Sequence, residues 1–148
     1  MYTHILMPYD GSPLSDRALS EGIAFAKDAD SKITLLHVMG PYHVPGSRAY
    51  VSPELKEIER QHLEELKKNV SEMLAKAQQR ATAAGVKCDC VVRDGLSPYQ
   101  EIIAAAKDLG CDLIMMASHG RRGFDGLVLG SETIKVLTHC TIPVLVVR

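Results

Sequence analysis

The sequence predicts an α/β protein built on an open, parallel, five-stranded sheet with helices on both faces. Three observations predict it. Short apolar runs alternate with segments of helical period in the order βαβαβαβαβ, the runs are apolar nearly throughout, and no hairpin signal links neighbouring runs. Strands that are apolar on both faces need cover on both sides, and parallel neighbours need a crossover, which is right-handed. A chain of 148 residues suits one core, so residues 1–148 are expected to form a single domain.

The elements follow in order. His4 to Tyr9, with Ile5, Leu6 and Met7, reads as a buried strand ended by Asp10-Gly11-Ser12-Pro13. Ser12 has the chemistry of an N-cap and Pro13 sits at the first helical position. Leu14, Ala18, Gly22, Phe25 and Ala26 then recur at helical spacing to about Asp28. Ile33 to Met39 is a second strand, stopped by Gly40-Pro41. Gly40 to Ser52, with Pro41, Pro45 and Gly46, reads as an irregular loop or lid. Ser52-Pro53 repeats the helix start, and Leu55, Ile58, Leu63, Leu66, Val70, Met73, Leu74, Ala77, Ala81 and Ala84 mark one long amphipathic helix. Gly85 ends it, its backbone suiting the left-handed position after a helix. The charged face of that helix reads as a solvated surface with i,i+4 pairs.

Val86 to Val92 is a third strand, broken by Arg93-Asp94-Gly95. Ser97 and Gln100 fit a capping box for a helix carrying Ile102, Ile103, Ala106 and Leu109 and stopped by Gly110. Cys111 to Ala117 is a fourth strand. After Ser131, a helix carrying Ile134, Val136 and Leu137 is expected to about Cys140, and Ile142 to Val147 reads as the last strand.

Composition narrows the function classes. A net charge of −1 and a pI near 6.6 argue against broad attraction to nucleic acid, so any anion binding is local. No apolar run reaches membrane-span length, and the N-terminal residues lack the basic region and apolar core of a secretory signal, so a cytoplasmic protein is expected. Cys88 and Cys90 point to one face of a strand and cannot easily bridge each other. Without a Cys-x-x-Cys or matching His spacing, the four cysteines read as small core thiols.

The richest stretch runs from Met116 to Thr133. Gly120, Gly123, Gly126 and Gly130 punctuate it, Arg121 and Arg122 sit early in it, and Gly130-Ser131 stands just before the helix that contains Glu132 and Thr133. Glycines bring backbone N–H groups close to a ligand, and a helix N-terminus offers free donors and a positive dipole end. A plausible anion cradle and an idle surface loop both fit this composition. In an open parallel sheet, ligands collect at the carboxyl ends of strands where the strand order reverses. Three clusters sit at such ends: Asp10-Gly11-Ser12, Val38-Met39-Gly40, and Met116 to Ser131. They converge if the first and fourth strands are neighbours.

Other phosphate signatures are absent. The sequence contains neither Gly-x-x-x-x-Gly-Lys-Ser/Thr nor a Gly-x-Gly-x-x-Gly after the first strand. Nor does it contain the Gly-x-Ser-x-Gly elbow of a serine hydrolase built on Ser131 and His119. His119 beside the cradle fits either a phosphate contact or a surface histidine, and Arg121 and Arg122 fit either a clamp or solvated cations.

Tyr9-Asp10-Gly11-Ser12 with Ser15 and Ala18, then Leu36-His37-Val38, then Ala117-Ser118-His119-Gly120 through Gly130-Ser131 to Pro143-Val144-Leu145-Val146-Val147, resemble the universal stress protein family over essentially the whole chain. In that family's nucleotide-binding branch the signature is Gly-x-x-Gly, nine residues, then Gly and Ser or Thr. Here it falls on Ala117 to Gly120, Arg121 to Leu129, and Gly130-Ser131, with Ala117 in place of the first glycine. The resemblance implies a flavodoxin-like sheet of order 3-2-1-4-5 and an adenine nucleotide, usually ATP, across the strand ends. It implies that Asp10 meets the ribose or a phosphate-bound Mg²⁺, that the Val38 backbone bonds the adenine edge, that Pro8 and Met116 flank the base, and that Gly120, Gly130 and Ser131 hold the phosphates. Gly11, Ser12, Ala117, His119, Arg121, Glu132 and Thr133 complete the candidate set beside these positions. Alanine fits the first signature position where the backbone is extended, as expected at a strand end.

Two function classes follow: an ATP-dependent regulatory or stress-response module whose occupancy orders the 117–131 loop, and a slow Mg²⁺-dependent ATPase. A dimeric scaffold that binds no nucleotide is a third. Residues 142–147 would form an exposed apolar edge strand, and the resemblance implies that this strand pairs two subunits into a homodimer. Neither a nucleic acid nor a membrane is an expected partner.

Overall fold

The computed structural model describes residues 1–41, 52–119 and 129–148. Its elements are β1 (His4–Pro8), α1 (Pro13–Ala29), β2 (Lys32–Met39), α2 (Pro53–Ala83), β3 (Cys88–Asp94), α3 (Pro98–Asp108), β4 (Leu113–Ala117), α4 (Ser131–His139) and β5 (Val144–Val147). The strands form one parallel sheet of order β3-β2-β1-β4-β5. Strand order therefore reverses beside β1, where β1 pairs with β4 and Leu6 lies opposite Ile114.

The period of two along each strand sorts the core into two layers. Ile5, Met7 and Tyr9 of the first strand region, Leu35 of β2 and Met115 of β4 pack with Leu19 and Ala26 of α1 and Leu74 and Ala77 of α2. Leu6, Leu36, Ile114 and Met116 point the other way, onto Ile102 and Ala105 of α3 and Val136 of α4. Cys88 is buried in the first layer with Cys90 packed against it, as their shared strand face requires, and burial pushes the Cys88 thiol up to about 12. Among the described residues no helix is long and apolar enough to cross a membrane.

Both Ser-Pro helix starts form. Ser12 Oγ accepts the Ser15 N–H (3.2 Å), and Ser52 Oγ accepts the Leu55 N–H (3.3 Å). Gly85 has φ +84° and closes α2, with its own N–H on Thr82 O (3.0 Å) and the Val86 N–H on Ala81 O (3.0 Å). That closure consumes Val86, so β3 begins at Cys88 instead of the expected Val86 and runs on to Asp94. The charged face of α2 carries Arg60 between Glu57 and Glu64, each at 2.6 Å, all three half exposed or more.

The capping box expected at Ser97 and Gln100 does not form. The Ser97 side chain makes no cap bond, and the free Tyr99 N–H in the first turn of α3 donates instead to Glu132 Oε2 of α4 (2.9 Å). A carboxylate supplied by a neighbouring helix has replaced the local cap. Asp112 makes a second link of this long-range kind. Its carboxylate accepts the Thr3 N–H (2.8 Å), the Thr3 hydroxyl (2.8 Å) and the His4 N–H (2.9 Å), tying the start of β1 to the start of β4.

Candidate functional site

The carboxyl edge of β1 ends in a tight turn that the sequence dictates locally. Asp10 Oδ1 accepts the Ser12 N–H (3.0 Å), and Gly11 takes φ +73°, which favours glycine. Ser12 then starts α1. The turn is held from both sides through Tyr9, whose N–H donates to Leu36 O (2.8 Å) and whose carbonyl accepts from His37 Nδ1 (2.9 Å). A carbonyl has no proton to give, so the His37 Nδ1 carries the hydrogen. The Tyr9 hydroxyl donates to Asp16 Oδ1 (2.6 Å), and Arg80 of α2 donates to the same oxygen (2.7 Å). Burial, followed by that bond to Asp16, pushes the Tyr9 phenol up to about 12.

Beside this turn, Pro8 pairs with Leu36, two residues short of Val38 at the end of β2. The Val38 and Met116 side chains both pack in the α3 and α4 layer. Across the switch point, β4 ends at Ala117, which is 8% exposed, lies opposite Val147 and has no positive φ. The position where the signature has glycine is thus ordinary strand, which alanine tolerates.

From there the chain returns to the same edge at Gly130. The Gly130 N–H donates to Ser118 O (2.8 Å), while Thr133 Oγ1, 3% exposed, donates to Ala117 O and Ser118 O (3.2 Å each). These bonds seat the N-terminus of α4 on the end of β4. A Cβ built on Gly130 would stand 3.2 Å from Ser118 O and 3.3 Å from His119 Cα, so the two backbones touch with little room for a side chain. The N-cap is Gly130, not Ser131. Ser131 is the exposed first helical residue. The first intrahelical donor is the Ile134 N–H, on Gly130 O (3.0 Å), so the N–H groups of Ser131, Glu132 and Thr133 precede the helical ladder.

The side chains here have separate engagements. His119 Nδ1 lies 3.0 Å from Ser118 Oγ. The Glu132 carboxylate turns toward α3, accepting the Tyr99 N–H and, at 2.8 Å, Lys135 Nζ. Sequence reasoning placed Glu132 beside a ligand and missed this link, because its partner lies 33 residues away. It also left Tyr9 and His37 out of the candidate set, although both stand in the stretches that carry the resemblance, and it gave no signal for Asp16 and Arg80, whose link to Tyr9 is tertiary.

Pro8, Asp10, Gly11, Ser12, Val38, Met116, Ala117, His119, Gly130, Ser131, Glu132 and Thr133 thus gather at the carboxyl ends of β1, β2 and β4. Gly120 and Arg121, together with Arg122, Gly123 and Gly126, lie outside the described residues, as do residues 42–51 of the loop or lid expected from Gly40 to Ser52. Two clefts open on the same edge. One of about 350 Å³ lies between α1 and α2 and is lined by Tyr9, Gly11, Asp16, Lys76 and Arg80. The other, of about 730 Å³, sits at the ends of β2 and β3 against Met39, Gly40, Leu63, Asp94 and Leu96. Neither is lined by Val38, Met116, Gly130 or Ser131. Among the described residues no group of three or more His, Cys, Asp or Glu side chains could hold a metal ion.

A parallel sheet that reverses beside β1, with a glycine turn after β1 and a glycine-capped helix after β4, defines a doubly wound α/β protein with the Rossmann-type strand order 3-2-1-4-5 rather than the flavodoxin order. Within that class the chain belongs to the universal stress protein family, whose sequence model matches residues 1–148. It is 34% identical over 154 residues to universal stress protein YxiE of Bacillus subtilis, with both chains covered in full. The solved structure of MJ0577, a universal stress protein of Methanocaldococcus jannaschii, superposes with a TM-score of 0.82 at 29% identity, covering 99% of this chain and 96% of that one. Two more distant structures share the fold. One is a universal stress protein in complex with cAMP, at 21% identity and a TM-score of 0.70, covering 99% and 97% of the two chains. The other, from Archaeoglobus fulgidus in complex with dAMP, has 18% identity and a TM-score of 0.65, covering 99% and 98%.

Proposed function

We propose that the carboxyl edge of β1, β2 and β4 binds an adenine nucleotide, with ATP the expected ligand, and that the protein works as a nucleotide-dependent regulatory module. The observation that carries this reading is the seating of α4. The close approach of Gly130 to Ser118 and His119 sets three backbone donors that lie ahead of the helical ladder, with no acceptor among the described residues, and a positive dipole end at the edge where Asp10 and Val38 also lie. The cAMP and dAMP complexes of relatives with this fold support the choice of an adenine ligand.

In this reading the Val38 backbone bonds the adenine edge, Pro8 and Met116 flank the base, and Asp10 meets the ribose. Gly11 and Ser12 hold the Asp10 turn. Gly130, the Ser131 hydroxyl and the first-turn N–H groups of α4 meet phosphate, joined by Gly120 and Arg121, with His119 and Ala117 lining the approach. Glu132 and Thr133 belong to the same turn. Any Mg²⁺ would arrive on the phosphates near Asp10, since the described residues supply no metal cluster of their own. Their donor set suits binding, and nothing in it singles out a base for hydrolysis.

Denaturing the purified protein and chromatographing the released material, with a thermal shift on adding ATP, tests the reading. A released adenine nucleotide or an ATP-induced rise in melting temperature supports it, and the absence of both overturns it. Mg²⁺-dependent turnover that falls in Asp10→Ala or Ser131→Ala would favour the slow ATPase. We also propose that residues 1–148 form one cytoplasmic domain that pairs with a second copy through the last strand, expected across 142–147 and formed from Val144 to Val147. All four β5 residues are half-buried along an apolar sheet edge. Light scattering should give the mass of a dimer, and a monomer at micromolar concentration would remove that claim.

A further inference from the structure

We propose that Glu132 is a positioning residue that aims the N-terminus of α4 at the phosphates by clamping it to α3. The proposal rests on the nucleotide reading above and concerns the regulation of the same site. Glu132 is the second residue of α4, next to the donors assigned to phosphate. An acidic side chain aimed at that site would repel an anion. Its carboxylate instead turns away to α3, where Oε2 accepts the Tyr99 N–H (2.9 Å) and Oε1 accepts Lys135 Nζ (2.8 Å).

Three further observations make this a built contact. Ser97, in the cap position of α3, makes no side-chain cap bond, so the Tyr99 donor is served across the interface by Glu132. Lys135 Nζ also stands 5.5 Å from the Tyr99 ring centroid, within cation–π range, so the carboxylate, ammonium and ring form one cluster. His139, at the far end of α4, lies on the same ring at 5.4 Å between centroids. The first turn of α4 is therefore held from two directions, by β4 through Gly130 and Thr133 and by α3 through Glu132. Donors fixed in this way need no reordering when an anion arrives, which is how preorganisation raises affinity.

The test compares ATP with adenosine in the full chain. Both should contact the base subsite, and only ATP contacts the α4 N-terminus. Calorimetric titration of Glu132→Ala should weaken ATP by about tenfold, the size expected for losing one charge-assisted hydrogen bond, while adenosine affinity stays unchanged. Glu132→Gln keeps an acceptor for the Tyr99 N–H and should stay within about threefold of wild type for ATP. Hydrogen exchange at the Tyr99 amide supplies a readout of the clamp itself, with protection lost in Glu132→Ala and kept in Glu132→Gln. Equal weakening of ATP and adenosine would mean a purely structural role and overturn the proposal. So would tighter ATP binding in Glu132→Ala, because charge removal would then outweigh aim, and so would lost Tyr99 protection with no change in the ATP to adenosine ratio. If the wild-type protein binds neither ligand, the nucleotide reading itself fails, an outcome distinct from all of these.

Discussion

Replacing Gly130 with alanine adds one methyl group at the tightest point of the candidate site. The backbone there, at φ −61° and ψ 150°, accepts alanine, so the cost comes from contacts and capping alone. The new Cβ would stand 3.2 Å from Ser118 O and 3.3 Å from His119 Cα, inside the optimal carbon separation of about 3.5–4.0 Å. Both neighbours are backbone atoms and cannot rotate away. The end of β4 or the start of α4 must shift by a few tenths of an ångström, which strains the 2.8 Å bond from the Gly130 N–H to Ser118 O at a cost of about 1 kcal/mol. Alanine is also a poorer N-cap than glycine, by about 0.5–1 kcal/mol. The expected loss is about 2 kcal/mol, which for a chain of this size lowers the melting temperature by about 4–8 °C. Urea unfolding should show the midpoint falling with an unchanged slope, and ATP affinity should drop by about tenfold as the α4 donors move. Stability within about 0.3 kcal/mol of wild type together with unchanged ATP affinity would refute the argument that this approach shapes the site.

The remaining predictions concern the opposite end of the sheet. Asp112→Ala removes one acceptor for three donors from Thr3 and His4 and should cost about 2–3 kcal/mol in urea unfolding, with Asp112→Asn, which keeps one oxygen, costing less. Burial raises the Asp112 pKa, but the bonds from His4 and Thr3 outweigh it and hold the carboxyl below its ordinary 3.8. Its contribution is therefore present above that value and is lost as acid protonates it below. His4 titrates in a separate window. Burial, then Lys32, lowers its pKa from 6.5 against the opposing pull of Asp112 and Asp89, and its Nε2 is 2.8 Å from Thr34 Oγ1. Below pH 6.5 the unfolded chain takes up a proton that the folded chain resists, so stability should fall as pH drops from 6.5 toward the folded-state value, by at most about 1.4 kcal/mol per pH unit. His4→Gln should flatten the unfolding free energy across that window, and an unchanged slope would refute the assignment.

Much of this architecture was legible because its causes are local. Ser12-Pro13 and Ser52-Pro53 announce helix starts whose caps lie three residues on, and Gly85 announces a helix end that only a left-handed residue closes easily. The unbroken apolar runs of β1 and β4 follow from burial on both faces, which marks a parallel sheet whatever the strand order. The errors also have local causes. Ser97 and Gln100 matched a capping pattern that the geometry declined once a better acceptor was near, and Val86 looked like strand until the closure of α2 claimed its N–H.

The sequence by itself determined the alternation of elements, both layers of apolar side chains and the three clusters at strand ends, since each depends on periods and turns a few residues long. The tertiary structure decided that β1 and β4 lie side by side and so bring those clusters to one edge. It also decided that Gly130, not Ser131, caps α4 against Ser118, and that Glu132 turns to Tyr99 in another helix. These outcomes depend on partners 33 residues apart for Glu132 and Tyr99 and 109 for Asp112 and Thr3, distances over which residue type alone specifies no contact. Only when the helices pack on the sheet does one acceptor come within 3 Å of one donor, and that packing selects which polar side chains are tied up in contacts between elements.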